Sequence, residues 1–253
     1  MSIIKVIRYF LILSILFIIS CLVVLQFSLF SEDLGPGEIT GSVNTPEFIA
    51  DKKSRQLAAF NSLNEKPTKQ ILFGDLHVHS TFSADAQMMS LPITGGNGVH
   101  PVADACDFAR HCSALDFWSI NDHAEASTPK RWQETKETIR KCNALNLDPA
   151  NPDCVAFLGW EWTQVGVIRA NHWGHHNVIL KEEDDDLVPP RAIASLSITR
   201  QAMTTRPLLP QTLFPFVDFA NFKRYNDSYR YAKETVKVPD CDLRTPSIEL
   251  PID

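Results

Sequence analysis

The sequence has no cluster of basic residues. Its 24 lysines and arginines are outnumbered by 30 aspartates and glutamates, which gives a net charge of −6. A protein that binds nucleic acid usually carries a basic patch that neutralises phosphates, so no nucleic-acid partner is expected. The chain also has no internal repeat, and its 44% hydrophobic and 21% charged residues are ordinary for a globular protein. A collagen-like or disordered chain is therefore excluded.

Charge is missing altogether from residues 9–30, which follow Lys5 and Arg8. This apolar run can cross a hydrocarbon core of roughly 30 Å and is longer than the hydrophobic h-region of a secretory signal peptide, which has about 7–15 residues. An uncleaved signal-anchor is therefore favoured over a cleaved signal peptide. A lipobox ending at Cys21 is a third interpretation. All three export the domain, and the preceding positive charges place it on the extracytoplasmic, periplasmic side of a membrane.

Cysteine is also sparse. If the domain is exported, its cysteines can form disulfides, because these form in oxidising compartments. Five cysteines follow the apolar run, so at least one lacks a partner within the chain. Cys142 and Cys154 flank a turn, and either could form a bridge there. Cys106 and Cys112 both fall on the apolar face of a predicted helix, where burial as small hydrophobic residues is at least as good an interpretation. The sequence does not fix the pairing.

The remaining chain divides into a linker over residues 31–68, with a short helix near residues 52–64, and a domain over residues 69–253. In the domain, strands are predicted near residues 70–76, 115–120, 155–160 and 176–180, and a polar loop over residues 80–100. Helices are predicted over residues 101–112 and from Ser127 onwards, and a last helix within residues 216–236. Strands alternating with helices are typical of an α/β fold with parallel strands.

Histidine is scarce, with eight residues and none after His176. The run Asp75-Leu76-His77-Val78-His79 closes the first strand. Side chains two residues apart share one face of a strand, so Asp75, His77 and His79 are expected together. Two neutral imidazoles at this spacing can chelate a transition metal.

Three further strands carry ligand-type residues at the same expected rim. The second ends in Asn121-Asp122-His123-Ala124-Glu125 and the third in Gly159-Trp160-Glu161-Trp162, and His172 to His176 precede the fourth. The carboxyl ends of parallel strands line active sites in α/β folds, and a cation is an economical partner for clustered carboxylates. Plainer roles are also open: Asp122 could cap the next helix, and Glu161 could pair with Arg169. Taken together, the strand ends predict a metal centre.

These motifs resemble those of the polymerase-and-histidinol-phosphatase (PHP) superfamily. They are Asp-Leu-His-Val-His-Ser at residues 75–80, Ser83-x-Asp85, Asp122-His123, Gly-x-Glu at residues 159–161 and the histidine that follows. The longer runs over residues 106–125, 151–164 and 174–180 are similar to a family within it, DUF3604. The resemblance covers about residues 69–253.

The resemblance implies a distorted (β/α)7 barrel, here partial, with two or three divalent ions such as Zn, Mn or Fe at its carboxyl rim. It implies metal-dependent hydrolysis of a small-molecule or phosphoester substrate. By position, the ligands would be His77, His79, Asp85, His123, Glu161 and His175, with His176 as the alternative to His175. Asp122 would serve catalysis by orienting His123.

The sequence departs from this family after His176, because the later His and Asp-x-His ligands of PHP proteins have no counterpart. We therefore expect an N-terminal fragment of a longer domain. The alternative function is a non-catalytic metal- or partner-binding fragment. A third hypothesis is an amidohydrolase-type enzyme, which also uses His-x-His on its first strand but needs a carboxylated lysine and a late aspartate that cannot be placed here.

Overall fold

A computed structural model of the chain describes residues 3–27, 29–62, 71–98, 100–165, 168–195 and 217–235. It is a mixed α/β structure. The strands are β1 (Gly74–Val78), β2 (Phe117–Ile120), β3 (Val155–Gln164) and β4 (Gly174–Leu180). The helices are α1 (Ile3–Phe27), α2 (Pro46–Asn61), α3 (Ala84–Met89), α4 (Val102–Asp107), α5 (Pro129–Asn143) and α6 (Phe222–Thr235).

The four strands form one curled sheet, a half-barrel, in the order β1-β2-β3-β4. β1, β2 and β3 run parallel, as predicted, and each is separated from the next by helix. β4 runs antiparallel to β3, which corrects the expectation of parallel strands throughout. A parallel neighbour needs a crossover of a dozen or more residues, and residues 165–173 are too few for one. The curl brings β4 to β1, where Asn177 Nδ2 donates to Leu76 O at 2.8 Å.

The first strand begins later than the sequence indicates. Residues 71–73 were expected to form its buried start, but they precede β1, and Leu72 and Phe73 are half exposed or more. β1 is the first strand in the order of the sheet. β1 begins at Gly74. A larger residue would not fit at this position, because its Cβ atom would lie 2.4 Å from the ring of Phe117 on β2.

The core lies between the sheet and the pair α4 and α5. Thr128 caps α5 by accepting from Arg131 N, and Pro129 follows in its first turn, close to the predicted start at Ser127. α5 buries Trp132, Ile139 and Cys142, and α4 buries Val102 and Cys106. The chain continues beyond α4 as a π-helical turn to Cys112. These two helices cover the face of the sheet opposite the strand-end polar residues.

One disulfide joins the two core helices, between Cys106 on α4 and Cys142 on α5. This corrects both expectations for the cysteines, because Cys142 does not bridge near its own turn and Cys106 is not a free thiol. Cys154 is buried and free, and Cys112 is free but exposed rather than buried. Cys241 lies outside the described residues. Helix periodicity could indicate that Cys106 is buried, but pairing depends on how the helices pack.

The loop predicted over residues 80–100 contains a helix, and the helix predicted near residues 52–64 is present as α2 but begins earlier. The loop over residues 80–100 includes α3, which begins at Ala84 and carries Asp85 in its first turn. Residues 31–62 include α2 and contact the domain: Lys52 Nζ donates to Leu115 O and Asp153 O at 2.9 and 2.8 Å. The last predicted helix is confirmed as α6. Residues 236–253 and most of the Pro-rich stretch before residue 216 lie outside the described residues.

α1 contains a single candidate membrane span in the described chain, Ile3–Leu25. Its 25 residues measure about 37 Å, enough to cross a bilayer, and nearly all its side chains are exposed. The helix has the length and composition of a membrane anchor or a signal peptide.

Candidate metal centre

The end of β1 brings two imidazoles to one carboxylate. His77 Nε2 and His79 Nε2 are 2.7 Å apart, and each lies 3.0 Å from Glu161 Oε2. Glu161 comes from β3, two strands away, and its side chain is 1% exposed. Asp75 shares the β1 run, but its carboxylate accepts from the backbone of His77 at 2.9 Å and joins none of the donor groups found. Of the three side chains expected on one face of β1, the two histidines therefore join the donor group and Asp75 does not.

A second group lies beside the first, where α3 begins. Asp85 Oδ1 is 3.2 Å from His79 Nδ1, and Asp85 Oδ2 is 3.5 Å from His123 Nε2. Ser83 fixes this corner, because its hydroxyl donates to Asp85 Oδ1 at 2.7 Å and accepts from His123 N at 3.1 Å. His79 thus faces Glu161 with one ring nitrogen and Asp85 with the other.

A third group extends to β4. His175 Nδ1 contacts Glu161 Oε1, and His123 Nε2 lies 3.7 Å from Glu161 Oε2. The antiparallel turn of the chain makes this group, because it places the start of β4 beside the end of β3, with His175 paired to Thr163. His176 points elsewhere, with Nε2 2.8 Å from Trp173 O.

Within the described residues these groups share members, and each could hold a metal ion. They are His77/His79/Glu161, His79/Asp85/His123 and His123/Glu161/His175. Glu161 presents Oε2 to His77, His79 and His123 and Oε1 to His175, so both of its oxygens face donor groups. We refer to the six residues together as the strand-end cluster.

Two observations bear on how this cluster could hold cations. His77 Nε2, His79 Nε2 and Glu161 Oε2 converge to within 2.7–3.0 Å of one another, whereas tetrahedral ligands about 2.1 Å from a zinc ion lie roughly 3.4 Å apart, so these donors would move slightly apart to bind one. Next to them, Glu125 is fully buried with Oε2 3.7 Å from His123 Nδ1, and no hydrogen bond to this oxygen is formed by the part of the chain that the structure describes. A buried carboxyl oxygen without a hydrogen bond is costly, so a cation beside it would stabilise this site.

Without metal, protonated histidines partly compensate the negative charge of the carboxylates. Burial alone would lower the pKa of His79, but its hydrogen bonds to Asp85 and Glu161 outweigh burial and raise that pKa to about 9. For His123, burial is likewise outweighed by Asp85 and Glu125, and the pKa rises to about 10. Burial would raise the pKa of Glu161, yet the surrounding imidazoles lower it to about 2. Protons on the histidines thus occupy positions where a metal ion would bind.

All six ligands predicted from the sequence lie in the strand-end cluster, whereas Asp122 has a different partner from the one expected. Its carboxylate accepts from Ser80 N at 2.6 Å and Ser80 Oγ at 2.7 Å and makes no hydrogen bond to His123. His123 is instead held by Thr163 Oγ1, 2.9 Å from Nδ1. Burial raises the pKa of Asp122 above its usual range. Asp122 and His123 are adjacent in the sequence, but adjacency could not show that their side chains point to different partners.

The plainer role considered for Glu161, an ion pair with Arg169, is not formed.

Ser83 and Glu125 stand in the motifs named above but were given no role in the cluster, and Thr163 was not singled out. Thr163 is fully buried, and its hydroxyl lies 2.9 to 3.2 Å from His123, Glu161 and His175. It stands two residues after Glu161, so strand alternation could have placed it on the same face. Glu125 stands two residues after His123. Ser83 gave no sign of its contact with His123, which depends on the fold of the loop before α3.

Comparison of the chain with protein-family models, with curated proteins and with solved structures returned no match. The resemblance to the PHP superfamily therefore stays a prediction.

Proposed function

We propose that this protein is a metal-dependent hydrolase of the PHP type that cleaves phosphoesters. The observation that carries the proposal is the sharing of Glu161 between two donor groups, with histidines on both sides. Sites that act on phosphoesters often place two cations about 3.5–4 Å apart, and a carboxylate with both oxygens engaged suits that spacing.

His77, His79 and Glu161 would hold one ion, and His123, Glu161 and His175 another, with Asp85 available beside His79 and His123. Divalent ions held there would supply Lewis-acid activation of water and charge neutralisation for a phosphoryl group. Mixed imidazole and carboxylate donors suit Zn, Mn or Fe. The chain itself orients the donors: Thr163 positions His123 and His175, and Ser83 positions Asp85.

A groove of about 1040 Å³ runs beside β1 and reaches two members of the cluster. His77 and His79 line it, and its walls include Ala105, Phe108 and Leu115. It is large enough for a small-molecule ester. This supports a substrate that approaches from the side of β1.

The same proposal places the domain outside the cytoplasm, anchored by α1. The Cys106–Cys142 disulfide supports this location, because disulfides persist in oxidising compartments. The two basic residues before the apolar run agree with a cytoplasmic N-terminus.

The test uses the full chain in detergent, stripped of metal and reloaded with Mn, Zn or Fe. Metal per chain is measured by mass spectrometry, and hydrolysis with a generic phosphomonoester and a generic phosphodiester. We expect bound metal and turnover, and the loss of both in the double variant His77→Ala/His79→Ala. His176→Ala is the matched control, because that imidazole lies next to a ligand yet outside the cluster.

The outcomes separate the candidate functions. Turnover that survives loss of His77 and His79 contradicts the proposal. Near-stoichiometric metal without turnover of either ester favours the alternative, a non-catalytic metal-binding protein. A chain that takes up no metal contradicts both functions.

A further inference from the structure

Large apolar side chains are exposed at the end of the apolar run of α1 and just before α6. Phe27 and Phe30 are 69% and 81% exposed, and Val217 and Phe219, just before α6, are 85% and 62% exposed. Single exposed apolar residues are common, but a group of them beside a helix of membrane length indicates a shared apolar environment. Phe30 also has a positive φ of 63°, a backbone conformation that a bulky residue rarely adopts.

α6 is fixed beside this end of α1 by polar contacts. Asn226, which is fully buried, donates through Nδ2 to Leu29 O, and Asp227 Oδ1 accepts from Glu32 N at 2.9 Å. Lys223 Nζ lies 3.1 Å from Glu32 Oε2. The position of α6 is therefore tied to the point at which the anchor ends.

The ring contacts give the direction and depth of the segment that leads into α6. The ring of Phe219 is 6.4 Å from that of Phe17, inside the apolar run, whereas Asn226 is level with Leu29. α6 therefore runs in the same direction as α1. Lys223 and Glu32 mark a polar level, and Phe219 lies below it, beside Phe17 in the second half of α1.

We propose that residues 217–222 enter the lipid leaflet from which α1 emerges, so that the domain contacts the bilayer at a second place. The partner is the boundary between phospholipid headgroups and acyl chains. Apolar side chains at such a boundary are buried about 5–10 Å deep, and Lys223 is placed to reach the headgroups above them. This inference does not depend on the proposed hydrolase activity.

The contact would hold the domain in one orientation, because α6 is also bound to the half-barrel. Tyr231 OH donates to Phe82 O at 2.9 Å, and Arg224 donates to Ser90 O and Gly96 O. These acceptors belong to the segment that carries Ser83 and Asp85. The lipid contact is thus joined through α6 to one wall of the strand-end cluster.

The experiment reconstitutes the full chain in phosphatidylcholine vesicles with plain or brominated acyl chains. Bromine quenches tryptophan fluorescence at short range. The variant is Phe219→Trp, and its matched control is Phe108→Trp, since Phe108 is also 62% exposed but lies on the wall of the groove. Wild-type fluorescence is subtracted from each. We expect brominated lipid to remove about half of the fluorescence added at position 219, because that side chain lies at acyl-chain depth, and to leave that at position 108 unchanged.

Val217→Trp is the second variant, in case Phe219→Trp does not fold, and the same quenching is expected there. Equal quenching at positions 108 and 219 would overturn the proposal, because it would show no preferred face. Absence of quenching at both 217 and 219 would overturn it as well.

Discussion

Among single residues, Glu161 has the greatest effect on the strand-end cluster. Its buried carboxylate lies 3.0 Å from His77 and His79 and 3.7 Å from His123, and it contacts His175. A buried carboxylate is stable only with compensating charge. Without metal the charge comes from protonated imidazoles, and with metal it would come from the ions. A metal ion would therefore compete with protons for the same positions.

This competition predicts how metal binding depends on pH. The pKa values of about 9 for His79 and about 10 for His123 exceed the ordinary 6.5, so both are protonated at pH 7 in the metal-free protein. Their stabilising effect is fully present below the unfolded value of 6.5 and is lost as the pH rises through 9 to 10. Metal needs neutral imidazole, so its affinity should rise with pH over the same window.

Thermal unfolding with and without Mn at pH 6, 7, 8 and 9 checks this prediction. The metal-free midpoint should fall towards pH 9, and the increase in midpoint caused by Mn should grow. Calorimetric titration at pH 7 in two buffers of different ionisation enthalpy should show proton release on metal binding. A metal-induced increase that does not change with pH would contradict it.

Thr163→Val tests the orientation of the ligands without removing one. Valine keeps the shape of this buried side chain but not the hydroxyl that lies 2.9 Å from His123 and 3.2 Å from His175. Loss of such an outer partner typically lowers metal affinity about 10–100-fold. Metal affinity is measured by competition with a chelating dye. Thr138→Val is the control, because that buried hydroxyl bonds only within α5; equal affinities for both variants would contradict the role of Thr163.

Among the secondary-structure elements, the strands show what the sequence could and could not predict. Each ligand group follows or precedes an apolar run, so strand ends could be found from local pattern alone, and Pro129 with Thr128 marked the start of α5. The expectation that β4 runs parallel to its neighbour was wrong, because parallel and antiparallel strands have the same sequence pattern when both are apolar. The partner of Asp122 and the pairing of Cys106 depend on contacts across 36 residues or more, which local pattern does not record.

The link between α4 and α5 gives a prediction for these elements. The disulfide closes a loop between residues 36 apart in sequence, and loss of such a crosslink typically costs about 2–4 kcal/mol. The variant Cys106→Ser/Cys142→Ser should unfold about 5–15 °C below the wild type in a thermal scan. Cys112→Ser, at the exposed free thiol, is the control and should unfold with the wild type. Coincident midpoints for the double variant would show that the crosslink contributes nothing.

In the whole molecule, α6 connects three parts: the end of α1, the segment around α3, and α5. Its attachment to α5 depends on Arg131, which is 5% exposed. The Arg131 guanidinium lies 4.0 Å from the ring of Tyr231 and donates to Thr235 Oγ1 at 3.0 Å. It also donates to Ala126 O at 2.8 Å, beside the strand-end cluster. One side chain thus joins α6 to the turn that follows His123.

Arg131→Ala should therefore release α6 from the half-barrel. Hydrogen bonds to a charged group contribute about 1.5–3 kcal/mol, so local opening of α6 should become roughly tenfold or more frequent. Chymotrypsin can report it, because α6 contains Tyr225, Tyr229 and Tyr231. Cleavage within α6 should accelerate in Arg131→Ala. It should not accelerate in Arg55→Ala, whose exposed pair with Asp51 on α2 contributes little. Cleavage of the Arg131 variant at the wild-type rate would contradict this role and would show that α6 is held by its contacts with α1 and with the segment around α3. The lipid-facing end of the molecule would then be coupled to the cluster through that segment.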